Sequence, residues 1–213
     1  MKIQLALDRL TIQEAINIAK KAEASIDWIE VGTSLIKEFG MESIYEIKNA
    51  FPHKYVVADI KTIDNAKYEF GICYQAGADI ATVMGVSPQA TLHTCYDITQ
   101  KWDKMMMIDL LNTTQETQQK LAIYNKAVFC HHLSKDEQEI GGKSSLSYTN
   151  LRAPFFEGAK VAVAGGVNLE TMSSLSLLTP DVVIIGSSIT KAKDIEKAAA
   201  AFKNKIEDKG VVK

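Results

Sequence analysis

The sequence predicts an α/β fold, a (β/α)8 TIM barrel, from three observations. Short apolar runs of strand length recur eight times, with helically spaced stretches between them, and such alternation means parallel strands joined by crossovers. Eight units within 213 residues match a barrel, which starts at about 200 residues. No GxGxxG motif follows the first apolar run, which disfavours an open doubly wound sheet. No linker, low-complexity tract or composition shift divides the chain, so residues 1–213 read as a single barrel domain.

In chain order, Ile3–Leu7 reads as the first strand and ends at Asp8. Ile12, Ala15, Ile16 and Ala19 repeat at helical spacing, with Thr11 or Asp8 as the cap. Trp28–Val31 is the second strand. Ile36, Phe39, Ile44 and Ile47 carry the next helical face, broken at Gly40. Tyr55–Ala58 is the third strand, and the helical stretch Ala66–Ala76 stops at Gly77, a natural C-cap. Ile80–Val83, Met105–Ile108 and Val128–Cys130 follow as strands. Leu133 to Pro154 is irregular and carries Gly141-Gly142. A stretch that long is usually either functional or mobile, and a lid or a short extra helix fits there. Val161–Ala164 and Val182–Ile185 complete the strands, and Ile195–Ile206 reads as a surface helix.

Composition excludes several classes. A net charge of −2 gives no bulk attraction to nucleic acid or to an anionic membrane. No apolar run approaches the roughly 20 residues that span a bilayer. The opening residues turn acidic too early for a signal peptide. Cys73, Cys95 and Cys130 are odd in number and lack CxxC spacing, which fits buried thiols in a reduced cytoplasmic setting. The 46% hydrophobic content suffices for a sizeable core.

The chemistry-bearing residues fall where the strands end. Asp59-Ile60-Lys61-Thr62-Ile63-Asp64 follows the third strand. Asp59 and Lys61 are two apart and would point the same way on an extended strand, with Asp64 beyond the turn. A lysine clamped between two aspartates stays charged and suits chemistry in which negative charge builds on a substrate. Asp8, Glu30 and Asp109 end strands one, two and five, and His131 and His132 end strand six. So many carboxylates on one rim repel unless a cation or a lysine holds them, and their oxygens are the hard ligands that Mg2+ prefers. Gly165-Gly166 and Gly186-Ser187-Ser188 follow strands seven and eight, where barrels commonly bind phosphate through backbone N–H groups. The expected substrate is a small sugar phosphate. His53 and His93 read as surface residues, Met105-Met106-Met107 as strand core, and Trp28 and Trp102 as packing residues.

Gln4-Leu5-Ala6-Leu7-Asp8, Ile29-Glu30-Val31-Gly32-Thr33, Ala58-Asp59-Ile60-Lys61-Thr62-Ile63-Asp64 and Ala162-Val163-Ala164-Gly165-Gly166 resemble the orotidine-monophosphate decarboxylase superfamily, whose signature is Asp-x-Lys-x-x-Asp. The resemblance runs from Met1 to about Ala200. Within the superfamily the pattern is most similar to the 3-hexulose-6-phosphate synthase family, with the 3-keto-L-gulonate-6-phosphate decarboxylases as close relatives. Asp109 and Ser187 resemble the synthases, because the decarboxylases typically carry Glu and Arg there. The neighbouring histidines of His131-His132 and the segment Leu110-Leu111-Asn112 depart from the pattern.

The resemblance implies a homodimer of barrels with shared active sites, in which Asp64 reaches the partner's site. It implies that Glu30 and Asp59 hold Mg2+, that Lys61 neutralises an enediolate, and that Asp8 bonds Lys61 or a substrate hydroxyl. Asp109 would contact the hydroxyls of the intermediate. His132, in a His-x-x-x-Asp spacing, would be the acid/base. Gly165, Gly166, Gly186 and Ser187 would hold phosphate. The implied reaction is an aldol addition of D-ribulose 5-phosphate to formaldehyde that gives D-arabino-3-hexulose 6-phosphate, with decarboxylation of 3-keto-L-gulonate 6-phosphate as the alternative. A non-catalytic sugar-phosphate-binding barrel would be expected to lose the lysine or a metal carboxylate, and this chain retains them.

Overall fold

The structure, a computed structural model, describes residues 1–140 and 154–208. Eight parallel strands close into a barrel in sequence order, with β1 (Lys2–Leu7) pairing with both β2 (Trp28–Val31) and β8 (Val182–Ile185). Between them run β3 (Tyr55–Thr62), β4 (Ile80–Met84), β5 (Met105–Asp109), β6 (Val128–His132) and β7 (Lys160–Ala164). The helices are α1 (Ile12–Ala22), α2 (Thr33–Phe39), α3 (Met41–Ala50), α4 (Ala66–Gln75), α5 (Gln89–Lys101), α6 (Gln115–Leu121), α7 (Lys135–Ile140), α8 (Thr171–Leu178), α9 (Ser187–Thr190) and α10 (Ile195–Glu207). All eight expected strands form.

The helix signals work as local chemistry. Thr11, not Asp8, caps α1, and its hydroxyl and the Glu14 carboxylate form a reciprocal capping box. Gly40, at φ +61°, separates α2 from α3, and Gly77, at φ +101°, follows α4. The predicted irregular stretch after strand six begins with the short helix α7, and residues 141–153 lie outside the described residues. Trp28 is buried, whereas Trp102 is 42% exposed and packs one face on Tyr74.

Strand alternation divides the core in two. Ile3, Leu5, Ile29, Val31, Val56, Ile108, Phe129 and Val163 face outward and pack under the helices. Trp28, Val57, Ile80, Met107, Val128, Cys130, Ala162 and Val182 fill the barrel itself. Because side chains alternate with period two, the inward face of five strands, β2 to β6, continues upward to a polar residue, whereas β7 and β8 continue to Ala164 and Ile184. Val57 leads to Asp59, Trp28 to Glu30, Ile80 to Thr82, Met107 to Asp109 and Cys130 to His132.

The lower rim carries a repeated clamp. Asp27, Asp79 and Asp181 each stand immediately before an even strand. Asp27 Oδ2 accepts the Ile3 N–H, Asp79 Oδ2 that of Val56, and Asp181 Oδ2 that of Val161, at 2.8–2.9 Å. Each Asp also donates its own N–H to the carbonyl of the same residue. At the fourth seam, before β6, the residue is Ala127 and the carboxylate is missing.

One strand departs from expectation. β3 continues to Thr62, four residues past the predicted Ala58. Its register against β4 jumps, with Ala58 opposite Ala81 and Thr62 opposite Val83. Residues 59–61 therefore bulge against the single residue Thr82, and Lys61 takes φ +50°.

Candidate active site

The bulge builds the centre of the upper rim. Lys61 and Asp59 do not meet as neighbours on a regular extended strand, because Lys61 is left-handed. Their side chains still converge, with Lys61 Nζ 3.0 and 2.8 Å from the two Asp59 oxygens. The second carboxylate on the ammonium is Asp109, from β5, at 3.4 Å. The clamp expected from Asp59 and Asp64 is thus formed by Asp59 and Asp109. Asp64 is exposed, and its Oδ1 accepts the Asn65 N–H. Burial would lower the Lys61 pKa, but the charges of Asp59 and Asp109 outweigh it and the pKa is raised, so the amine stays an ammonium.

Asp59 has a full complement of partners. Oδ1 also accepts the Thr82 hydroxyl at 2.9 Å, and Oδ2 the Thr33 hydroxyl at 2.8 Å. Glu30, 7% exposed, takes one hydrogen bond from the Gln4 side-chain amide inside the barrel. Its pKa is raised to about 8, by burial first and then by the charges of Asp59 and Asp8. A carboxyl buried among like charges holds on to its proton for want of a cation beside it.

That shortage is the test of the implied metal, and the residues fit it. Among the described residues no three His, Cys, Asp or Glu cluster as a metal set; of the implied pair, Glu30 accepts a single hydrogen bond, and Asp59 would have to release one of its present partners to a cation. Mg2+ is commonly bound by one or two carboxylates, with waters and substrate oxygens completing its octahedron.

The two histidines separate by strand parity. His132 faces inward, and its Nδ1 stands 2.8 Å from Asp109 Oδ2. His131 faces outward against the Phe156 ring, at 6.2 Å between centroids. Burial would raise the Asp109 pKa, but the His132 hydrogen bond and charge, Lys61 and the Leu111 N–H hold it below the usual range. An ionised Asp109 can only accept, so His132 Nδ1 carries the hydrogen, and whenever the ring is neutral its lone pair is on Nε2.

Asp8 lies close by but does not bond Lys61. Its Oδ1 accepts the Ser34 N–H and hydroxyl at the start of α2, and its carboxylate packs so tightly on Gly32 that a Cβ there would collide with it. Gly165, at φ +94°, lies against the Leu133 carbonyl where a side chain would also collide. Gly166 has φ +67°, and Gly186 is the N-cap of α9, which begins at Ser187. The Ser188 hydroxyl donates to the Val167 carbonyl at 2.7 Å and ties the two glycine loops together.

Thr82, Thr33 and Gln4 are the participants to which the sequence assigned no role. Thr82 carried a legible signal, a lone polar residue at an inward position of an apolar strand.

An eight-stranded barrel whose mouth gathers an ammonium, three buried acids and a histidine is of the enzyme class that handles anionic intermediates at the C-terminal ends of its strands. The chain belongs to the Orotidine 5'-phosphate decarboxylase / HUMPS family, whose pattern it matches over residues 1–202. It is 35% identical over 208 residues to the 3-hexulose-6-phosphate synthase of Bacillus subtilis (strain 168), covering 97% of this chain and 99% of that one. It superimposes on the crystal structure of 3-hexulose-6-phosphate synthase from Salmonella typhimurium with a TM-score of 0.92 at 33% identity, covering 98% of this chain and 99% of that one. A KGPDC from Streptococcus mutans matches at TM-score 0.89 and 25% identity over 97% of both chains.

Proposed function

We propose that the protein is a carbon–carbon lyase of the aldehyde-lyase type, a 3-hexulose-6-phosphate synthase that joins formaldehyde to D-ribulose 5-phosphate. The observation that carries the reading is the Lys61 ammonium held between Asp59 and Asp109 with His132 on the same Asp109. Full-length similarity to proteins of that name supports the choice of substrate.

The residues divide the work. His132 Nε2 removes a proton from the carbon beside the substrate carbonyl, with Asp109 holding the ring in the tautomer that allows it. The Lys61 ammonium, already charged and fixed, balances the negative charge of the enediolate. The enediolate carbon forms the new bond to formaldehyde, whose oxygen takes up a proton from protonated His132, so the two reactants add with nothing lost. Mg2+, held by Glu30 and Asp59, would supply Lewis-acid polarisation of the substrate oxygens. Asp8, at the end of β1, would bond a substrate hydroxyl. The loops of Gly165, Gly166, Gly186 and Ser187 would take the phosphate.

The assembly is a homodimer in this reading, with Asp64 entering the partner's site. Exposed Ile63 and Tyr68 flank Asp64 in the sequence. No helix among the described residues is long and apolar enough to cross a membrane. The three cysteines are free and buried, which supports a reducing, cytoplasmic setting in this reading.

Incubating the purified protein with D-ribulose 5-phosphate, Mg2+ and formaldehyde tests the proposal. Loss of the pentulose phosphate should require formaldehyde and stop on chelation. Release of CO2 from 3-keto-L-gulonate 6-phosphate, without formaldehyde-dependent turnover, would replace the aldolase by the decarboxylase.

A further inference from the structure

Two hydrogen bonds of the site meet at one hydroxyl that touches neither the ammonium nor, in the reading above, the substrate. Thr82 Oγ1 accepts the Lys61 backbone N–H at 2.9 Å and donates to Asp59 Oδ1 at 2.9 Å. Thr82 is 3% exposed, on the inward face of β4. It is the one residue of β4 that faces the three-residue bulge of β3.

The bulge needs such a partner. A lysine at φ +50° is strained, because its Cβ crowds the backbone, and such a conformation persists only where the surroundings impose it. The bulge also displaces the Lys61 N–H from the regular ladder, and a buried N–H without a partner is costly. Thr82 answers both needs with one group, since a hydroxyl is donor and acceptor together. Once its oxygen accepts from Lys61, its hydrogen is directed to Asp59. The far side of the bulge is held separately, by Glu69 on the Thr62 hydroxyl at 2.6 Å and Ser87 on the Thr62 carbonyl at 3.2 Å. Those contacts fix where the strand resumes, and Thr82 couples the bulge itself to the carboxylate.

We propose that Thr82 is a positioning residue: its hydroxyl locks the left-handed turn at Lys61 and one oxygen of Asp59, and so sets where the ammonium stands relative to the reacting carbon. A small displacement of a fixed charge is enough to impair catalysis without weakening the grip on a phosphate several strands away. The kinetic half of this inference rests on the enediolate reading of the site, and the structural half does not.

The test compares Thr82→Val, which keeps the shape and removes the hydroxyl, with Thr82→Ser, which keeps the hydroxyl. With D-ribulose 5-phosphate, formaldehyde and Mg2+, T82V should lose on the order of 10- to 100-fold in kcat. Its KM for the pentulose phosphate should stay within about threefold, and T82S should retain kcat within about threefold of the parent protein. Crystal structures should show Lys61 leaving positive φ, or its ammonium drawing away from Asp59, in T82V and not in T82S. T82V turnover within about twofold of the parent, or equal impairment of T82V and T82S, overturns the proposal. If T82V does not fold, Thr82→Ala takes its place against T82S. If the parent protein has no formaldehyde-dependent activity, the reaction assigned above fails, and the variant structures alone decide the role of Thr82: an unchanged Lys61 backbone in T82V overturns it.

Discussion

The two rims of this barrel treat the same chemical group in opposite ways. At the lower rim each of Asp27, Asp79 and Asp181 receives a backbone N–H. Asp79 adds Lys48 at 2.7 Å and Lys104 at 2.9 Å. Burial would raise the Asp79 pKa, but those lysines and the Val56 N–H pull it below the ordinary value. At the upper rim Glu30, Asp59 and Asp109 crowd around one lysine, and Glu30 is pushed up to about 8. The lower carboxylates join strands and are satisfied by them. At the upper rim Asp109 is held low in the same way, against its burial, by His132 and Lys61, and Glu30 is the exception, buried beside other acids at a cost to stability that a bound cation would offset. In barrels of this kind the lower face serves stability and the upper face chemistry.

The comparison breaks most visibly if the upper lysine proves dispensable. Lys61→Ala should lower turnover by at least about 10³-fold, since in the proposed mechanism it removes a fixed positive charge facing the developing anion. Circular dichroism should still show a folded barrel. Activity within tenfold of the parent would remove Lys61 from its role. Next in size is His132→Ala, expected to cost on the order of 10²- to 10⁴-fold in kcat as an acid/base is lost. His131→Ala should leave kcat nearly unchanged, because that ring packs outward on Phe156. The reverse result would exchange the two histidines.

Much of this arrangement was legible in the chain. The eight strands showed as apolar runs because a parallel barrel buries both strand faces. The acids and His132 showed because they end those runs. Three things were not legible. The left-handed turn at Lys61 has no glycine to announce it. Its cause lies on a different strand, in the Thr82 hydroxyl. The choice of Asp109 over Asp64 as second partner of Lys61 depends on how the strands are staggered, and local spacing does not encode that. The lower clamps were missed because Asp27, Asp79 and Asp181 look like ordinary turn residues until their repeated position before even strands is seen against the closed sheet.

The lower rim gives a prediction of moderate size. Asp79→Asn should destabilise the fold by about 1–3 kcal/mol, because Lys48, Lys104 and the Val56 N–H lose a charged acceptor together. It should leave kcat unchanged, as the residue lies at the opposite end of the barrel from the reaction. The pH dependence has a definite sign. A carboxylate whose pKa is lowered on folding contributes stability that is fully present above its unfolded value near 4 and is lost as pH falls through the folded value. Denaturant melts of the parent and D79N should therefore converge as pH drops below about 4. A gap that persists unchanged at low pH would mean that the charge is not what Asp79 contributes.

The smallest expected effect has the opposite sign, and it tests the contrast most directly. Glu30→Gln keeps the shape of the side chain and can still bond Gln4, but it removes a carboxyl that is ionised in the unfolded chain at neutral pH and that folding, by raising its pKa to about 8, forces to take up a proton. In the metal-free protein at neutral pH it should raise stability, on the order of 1 kcal/mol. The gain should vanish when millimolar Mg2+ is added, because the cation stabilises the parent and has little hold on the variant. Calorimetric titration should show weakened Mg2+ binding by E30Q, and turnover should fall with it. If E30Q instead destabilises the metal-free protein, Glu30 is a structural acid like Asp79, and the division between the two rims is drawn in the wrong place.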